Sequence, residues 1–135
     1  MNLRDIRESK GFDLVYVSKM TGVTKGALKK FEEGQYDLKL SEAKSIARFF
    51  KINVYSLIGK ETSSNNRFNV KFEKNLLKLR RKAMMFRNNE FANSIGISTK
   101  ILGEIENRDY DIRISLLFKI CESLKLDIEE VLICA

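Results

Sequence analysis

The chain has 135 residues, 25 Lys plus Arg against 18 Asp plus Glu, a formal net charge of +7, two Cys, and no His, Pro or Trp. Without histidine there is no Ser–His–Asp or Cys–His nucleophile pair, no imidazole base and no imidazole metal ligand, and two cysteines cannot close a four-ligand zinc site. A 44% hydrophobic share with 32% charge is globular, no apolar run approaches the ~18 residues of a membrane span, and the N-terminus lacks a signal-peptide core.

These features read as a soluble cytoplasmic protein with reduced thiols, no metal and no cofactor. Cys121 falls in an apolar helical pattern as a small core residue, and Cys134 is a tail thiol. The basic balance points to an anionic partner, nucleic acid or membrane surface.

The elements follow in order. Leu3, Ile6 and Arg7 give a first helix ending at Lys10-Gly11. Asp13 caps a second helix with Val17 and Met20 inward, and Gly22 breaks the chain. Thr24 caps a third helix with Leu28 and Phe31 on its apolar side, ended by Gly34. Ser41 opens a fourth through Ala43, Ile46, Ala47 and Phe50, and Asn53 caps a short fifth with Leu57 and Ile58. Helices then recur over 72–82, 88–95, 98–106, 115–124 and 127–132. No segment alternates well enough for a strand, so the fold class is all-α.

The recurrence is an internal repeat. A shift of 74 lays Gln35–Ser41 over Asp109–Ser115, Gly22-Val23-Thr24 over Gly96-Ile97-Ser98, Leu28 over Leu102 and Glu32 over Glu106. At the start a shift of 73 pairs Ile6-Arg7 with Leu79-Arg80, which places one extra residue of the second copy within 81–87. The domains are then 1–58 and 70–135, joined by a polar linker, 59–69.

Each copy joins two helices through a short turn with glycine, Thr21-Gly22-Val23-Thr24 and Ile95-Gly96-Ile97-Ser98, the pattern of a helix-turn-helix. With Leu28 and Phe31 turned to the core, Lys25, Gly26, Lys29 and Lys30 are exposed. Three lysines on one helical face suit a phosphate-rich groove.

Both copies resemble the lambda-repressor/Cro-like helix-turn-helix family, also called the XRE family. The marks in the first copy are Ile6-Arg7, Lys10-Gly11, Thr21–Thr24, Leu28, Phe31-Glu32, Gly34 and Ile46-Ala47. Those in the second are Asn75-Leu76, Leu79-Arg80, Glu90-Phe91-Ala92, Gly96-Ile97-Ser98, Leu102, Ile105-Glu106-Asn107 and Leu116–Ile120. The resemblance implies two tandem five-helix domains, each placing its third helix in the DNA major groove. By position, Thr24, Lys25, Gly26, Lys29 and Lys30 would face bases in the first copy, and Ser98, Thr99, Lys100, Gly103 and Glu104 in the second. Tyr36, Lys39, Asn88, Asn107, Tyr110 and Arg113 would face phosphates.

The copies depart from the family pattern differently. The first has Leu14 where the family uses Gln and Glu33 where it uses Asn, while the second keeps Asn88 and Asn107 but has Arg108 where the family has Gly. Residues 1–60 carry 12 basic and 7 acidic groups, and residues 61–135 carry 13 and 11. Lys71, Lys74, Lys78, Arg80, Arg81, Lys82 and Arg87 cluster against Glu73, either as a solvated face or as a patch for the DNA backbone. A flexible linker of this length reaches roughly 17–20 Å r.m.s., extended at most about 36–40 Å, against ~34–36 Å between half-sites.

The leading reading is a sequence-specific DNA-binding regulator of the bacterial or phage repressor type, acting on double-stranded DNA. The alternative is a protein-interaction module, such as an antitoxin or a phage-encoded inhibitor of a defence enzyme, with one copy used for dimerisation or partner binding. Homodimerisation and a protein partner are left open. An enzyme is not expected, because no Walker A or Rossmann glycine motif accompanies the acidic pairs Glu32-Glu33 and Glu129-Glu130.

Overall fold

The computed structural model describes residues 3–58 and 68–134, so most of the expected linker lies outside the described residues. Among the described residues there are ten helices and two short strands. In chain order they are α1 Leu3–Ser9, α2 Leu14–Thr21, α3 Lys25–Glu32, α4 Leu40–Phe50, α5 Val54–Leu57, β1 Val70–Phe72, α6 Lys74–Ala83, α7 Asn88–Ile95, α8 Thr99–Asn107, α9 Ile114–Leu124, α10 Ile128–Val131 and β2 Leu132–Cys134. The architecture is all-α, and the chain divides into one compact unit holding α1–α5 and another holding α6–α10.

Local chemistry sets most boundaries. The Asp13 carboxylate accepts from the Tyr16 amide at 2.8 Å, Thr24 Oγ1 from Ala27 at 3.2 Å and Asn53 Oδ1 from Tyr55 at 2.9 Å. In the second unit Ser98 Oγ accepts from Ile101 at 3.1 Å, and Asp127 and Glu130 cap each other's backbone at the start of α10. Each cap satisfies amides that the helix start leaves without partners. Gly22 and Gly96 end α2 and α7 at φ 79° and 78°, a conformation that a Cβ disfavours.

The two units bury equivalent residues, on the helices and in the loops before α4 and α9. Leu3, Val17, Leu28, Leu38, Ile46 and Val54 are matched by Leu77, Phe91, Leu102, Ile112, Ile120 and Ile128, all at most 3% exposed. α2 packs on α3, α7 on α8, and α6 on both α8 and α9. Cys121 belongs to this core, while Cys134 is exposed in β2.

A guanidinium lies against each core, buried for Arg81 and partly buried for Arg7. Arg7 on α1 donates from Nε and Nη2 to the Glu32 carboxylate of α3 at 2.8 and 3.0 Å, and from Nη1 to the Phe12 carbonyl at 2.9 Å. Arg81 on α6 does the same to Glu106 of α8 at 2.7 and 3.0 Å and to the Phe86 carbonyl at 2.7 Å. Hydrogen bonding to Glu32 raises the Arg7 guanidinium above its ordinary pKa, against the opposing effect of burial.

This geometry corrects the register of the repeat. Arg7 corresponds to Arg81, not Arg80, so the shift is 74 from Leu3/Leu77 onward and the second copy has no extra residue. Leu79, at 65% exposed, cannot be the counterpart of a core-facing position. Two adjacent arginines made the shorter shift look equally good.

Other expectations also change. β1 and β2 pair as a two-stranded sheet, extended by a bond from the Glu73 amide to the Val131 carbonyl at 2.8 Å. Three-residue strands are too short to show an alternating pattern. They shorten the helices expected over 72–82 and 127–132. Met20 is 52% exposed, at an open groove between α2 and Ser45, Arg48 and Phe49 of α4, and Val17 is the buried residue of α2. α4 begins at Leu40, not Ser41, with the Lys39 amide donating to Glu42 Oε1 at 2.9 Å. α9 likewise begins one residue before Ser115.

Two outcomes follow. Glu106→Ala leaves a buried arginine unpaired and should cost about 3–5 kcal/mol in urea unfolding of the full chain, whereas removing the exposed Arg87–Glu90 pair with Glu90→Ala should cost less than about 1 kcal/mol. Met85 is 89% exposed at φ 58°, where the first copy has Gly11 at φ 71°. Met85→Gly should therefore stabilise the chain by about 0.5–1 kcal/mol in the same measurement.

Candidate nucleic-acid interface

The turn from α2 to α3 is built by few atoms. Thr21 Oγ1 donates back to the Val17 carbonyl at 2.8 Å and accepts from the Val23 amide at 3.2 Å. Val23, buried to 3%, plugs the angle between the helices. With Leu28 and Ala27 inward, the opposite side of α3 is left to solvent.

That outward side holds the first set of expected base-facing residues. Thr24, Lys25, Gly26, Lys29 and Lys30 are all exposed. Among the described residues no carboxylate pairs with Lys25, Lys29 or Lys30. A Cβ at Gly26 would meet nothing within 4 Å, so internal packing does not require a glycine there. Its absent side chain keeps the helix surface low between lysines. Glu33 follows as the exposed C-cap of α3.

The second set is arranged on α8 with different chemistry. Ser98, Thr99 and Lys100 are exposed, and Gly103 and Glu104 are half-buried. Lys100, Gly103, Glu104, Asn107 and Arg108 line a shallow concavity of about 470 Å³. Gly103 is part of its lining, with nothing within 4 Å of where its Cβ would be. These positions of α8 hold one lysine and one glutamate, where α3 holds three lysines and is followed by Glu33. Where α3 ends before Gly34 at φ 74°, α8 runs one residue longer and leaves Arg108 extended at φ −132°.

The expected phosphate-facing residues are less uniform. Asn88 opens α7, exposed, its Oδ1 accepting from the Asn89 amide at 2.8 Å. Asn107 closes α8, accepting from Lys78 Nζ at 2.8 Å and donating from Nδ2 to the Gly103 carbonyl at 3.0 Å. Arg113, the residue before α9, is exposed, and Lys39, before α4, is half-buried. Tyr110 is half-buried. Tyr36 is half-buried too, with its hydroxyl 3.1 Å from both oxygens of Glu42.

The basic cluster around α6 turns out to be neither a purely solvated face nor a free patch. Arg81 is buried in its ion pair. Lys74 donates to the Arg108 carbonyl at 2.8 Å and lies 3.6 Å from Asp109, Lys78 bonds Asn107, and Arg80 donates to the Leu124 carbonyl at 3.0 Å. Three of these groups tie α6 to the C-terminal ends of α8 and α9, where carbonyls lack helical partners. Sequence spacing could have revealed this for Arg81, because Arg7…Glu32 and Arg81…Glu106 share one separation.

One member of each acidic pair is structural. Glu32 is held by Arg7, and Glu130 accepts from the Asp127 amide at 2.8 Å. Among the described residues no group of His, Cys, Asp or Glu could hold a metal, and no helix is long and apolar enough to cross a membrane.

The helix-turn-helix family model matches the chain twice, over residues 3–57 and 77–131. The chain belongs to the XRE-type helix-turn-helix family. Its two matches are offset by 74, the register that the buried arginines define. The XRE-type family is one of DNA-binding regulators and is not enzymatic. No curated protein and no solved structure matches the chain.

The caps that orient the two XRE helices give a direct check. Thr24→Ala and Ser98→Ala should each destabilise the chain by about 1 kcal/mol in urea unfolding, and Thr24→Ser should restore most of the loss.

Proposed function

We propose that the chain is a sequence-specific DNA-binding transcriptional regulator of the bacterial or phage repressor type, with α3 and α8 each reading a major-groove half-site. The observation that carries this reading is the outward face of α3: three exposed lysines without carboxylate partners among the described residues, on a helix that Thr24 and Val23 fix at its start. Residues 1–58 and 70–135 act as two domains, with 59–69 as the tether that lets both engage one duplex.

The two copies divide the work. The first supplies charge through Lys25, Lys29 and Lys30. The second supplies positioning through Asn88 and the Lys78–Asn107 pair, and selectivity through the concavity on α8. Glu104, in that concavity, is suited to accept from the N4 amine of cytosine, a contact that costs affinity on a random duplex and adds it on the right one.

Selection of the full chain against random duplexes at low salt should enrich a motif, and the enriched duplex should be released steeply as salt rises. Recovery of no motif sinks the reading. On the enriched duplex, charge reversal of Lys25, Lys29 and Lys30 to Glu should lower affinity at least tenfold (about 1.4 kcal/mol or more), and reversal of Lys100 and Arg113 should lower it less. Glu104→Gln should move the preference at one base pair from cytosine to adenine by about 1–3 kcal/mol, read by repeating the selection with the variant.

A further inference from the structure

The first unit carries a second exposed surface, made by α2, the loop before it and the C-terminal part of α4. The Phe12 and Tyr16 rings lie 4.8 Å apart, and Phe49 is 5.7 Å from Phe12 and 6.1 Å from Tyr16. Tyr16 and Met20, one helical turn apart, are 41% and 52% exposed. Met20, Thr21, Ser45, Arg48 and Phe49 line a groove of about 360 Å³. Arg48, which lines the groove, and Lys19, the residue before Met20, are both exposed. Asp13, beside Tyr16, uses its carboxylate to cap α2.

The second unit shows what the same scaffold requires at these positions. Under the shift of 74, Glu90, Ser94 and Ser123 stand where the first unit has Tyr16, Met20 and Phe49. Asn93 and Glu122 stand where it has Lys19 and Arg48. The fold is kept while the surface changes from apolar and basic to polar and acidic. Phe49 also packs edge-on against the buried Phe50, at 4.9 Å, but core packing does not explain the exposed Tyr16 and Met20, and DNA reading by α3 does not use them.

We propose that this face of the first unit docks an acidic amphipathic helix of a partner protein, its apolar stripe seated on Tyr16, Met20 and Phe49 and its carboxylates against Lys19 and Arg48. A groove between α2 and α4, continued one helical turn along α2 by the exposed Tyr16 ring, offers apolar anchors for a helix laid along it. The basic rim selects an acidic partner through charge complementarity. A second copy of the same face is disfavoured, since a two-fold contact would bring basic rims together.

The probe is a displayed library of helical peptides with a fixed apolar stripe and flanking positions varied among Asp, Glu, Lys, Arg and Ser, panned on the full chain. Acidic flanks should be enriched. The enriched peptide should bind at least tenfold more weakly to Lys19→Glu/Arg48→Glu and to Tyr16→Glu/Met20→Ser. Three of these four replacements are the residues, or the charge, that the second unit holds at the same positions, and thermal unfolding verifies that both variants fold. Tyr16→Glu/Met20→Ser should keep its affinity for the selected duplex, which separates this proposal from the DNA reading, whereas the four-unit loss of positive charge in Lys19→Glu/Arg48→Glu also weakens duplex binding. No enrichment, enrichment independent of charge, or binding unaffected by either variant overturns it. So does loss of duplex binding in folded Tyr16→Glu/Met20→Ser, or a dimer in sedimentation that this variant abolishes.

Discussion

Each helix-turn-helix unit is organised around a guanidinium, buried in the second unit and largely shielded in the first, that holds three pieces of chain at once. Arg7 joins α1 to Glu32 of α3 and to the Phe12 carbonyl before α2, and Arg81 repeats the arrangement with Glu106 and Phe86. A buried arginine is tolerated only when its donors are met, and here one carboxylate and one carbonyl meet three of them. The carboxylate sits on the helix proposed to enter DNA. Its bidentate bond fixes the rotation of that helix about its own axis, and so decides which side chains can face outward. Domains of about 60 residues bury little apolar surface, which makes such a polar clamp a large part of what defines one orientation.

On this shared frame the two units have separate surfaces. α3 presents lysines, while α8 presents a concavity with a lysine and a glutamate. The helix before each turn diverges as well, from Tyr16 and Met20 to Glu90 and Ser94. In the second unit three basic groups of α6 are spent on carbonyls and side chains at the ends of α8 and α9. Much of its formal positive charge therefore serves internal structure, and the net charge of a unit overstates what it offers an anionic ligand.

The sequence was most informative where short-range chemistry decides the outcome. Asp13, Thr24, Asn53, Ser98 and Asp127 cap the helices they precede, and Gly22 and Gly96 take the left-handed conformation their position needs. The internal repeat located the paired cores because Leu28/Leu102 and Ile46/Ile120 bury alike. Long-range polar contacts were harder to read. Arg80 and Arg81 are adjacent and chemically equal, and only the partner on α8 tells which is buried. Lys78 looked like surface charge because its partner, Asn107, lies 29 residues away. The β1–β2 pairing is too brief to leave a pattern, and the exposure of Met20 depends on neighbours from α4 that periodicity does not know about.

The unequal roles proposed for α3 and α8 are tested most directly by backbone amide shifts of the full, isotope-labelled chain titrated with its selected duplex. The expected result is large shifts from Thr24 to Lys30 that weaken with salt, together with smaller ones from Ser98 to Glu104 that depend on the base sequence. Shifts that spare α3, or that are the same for selected and scrambled duplexes in both helices, would contradict it.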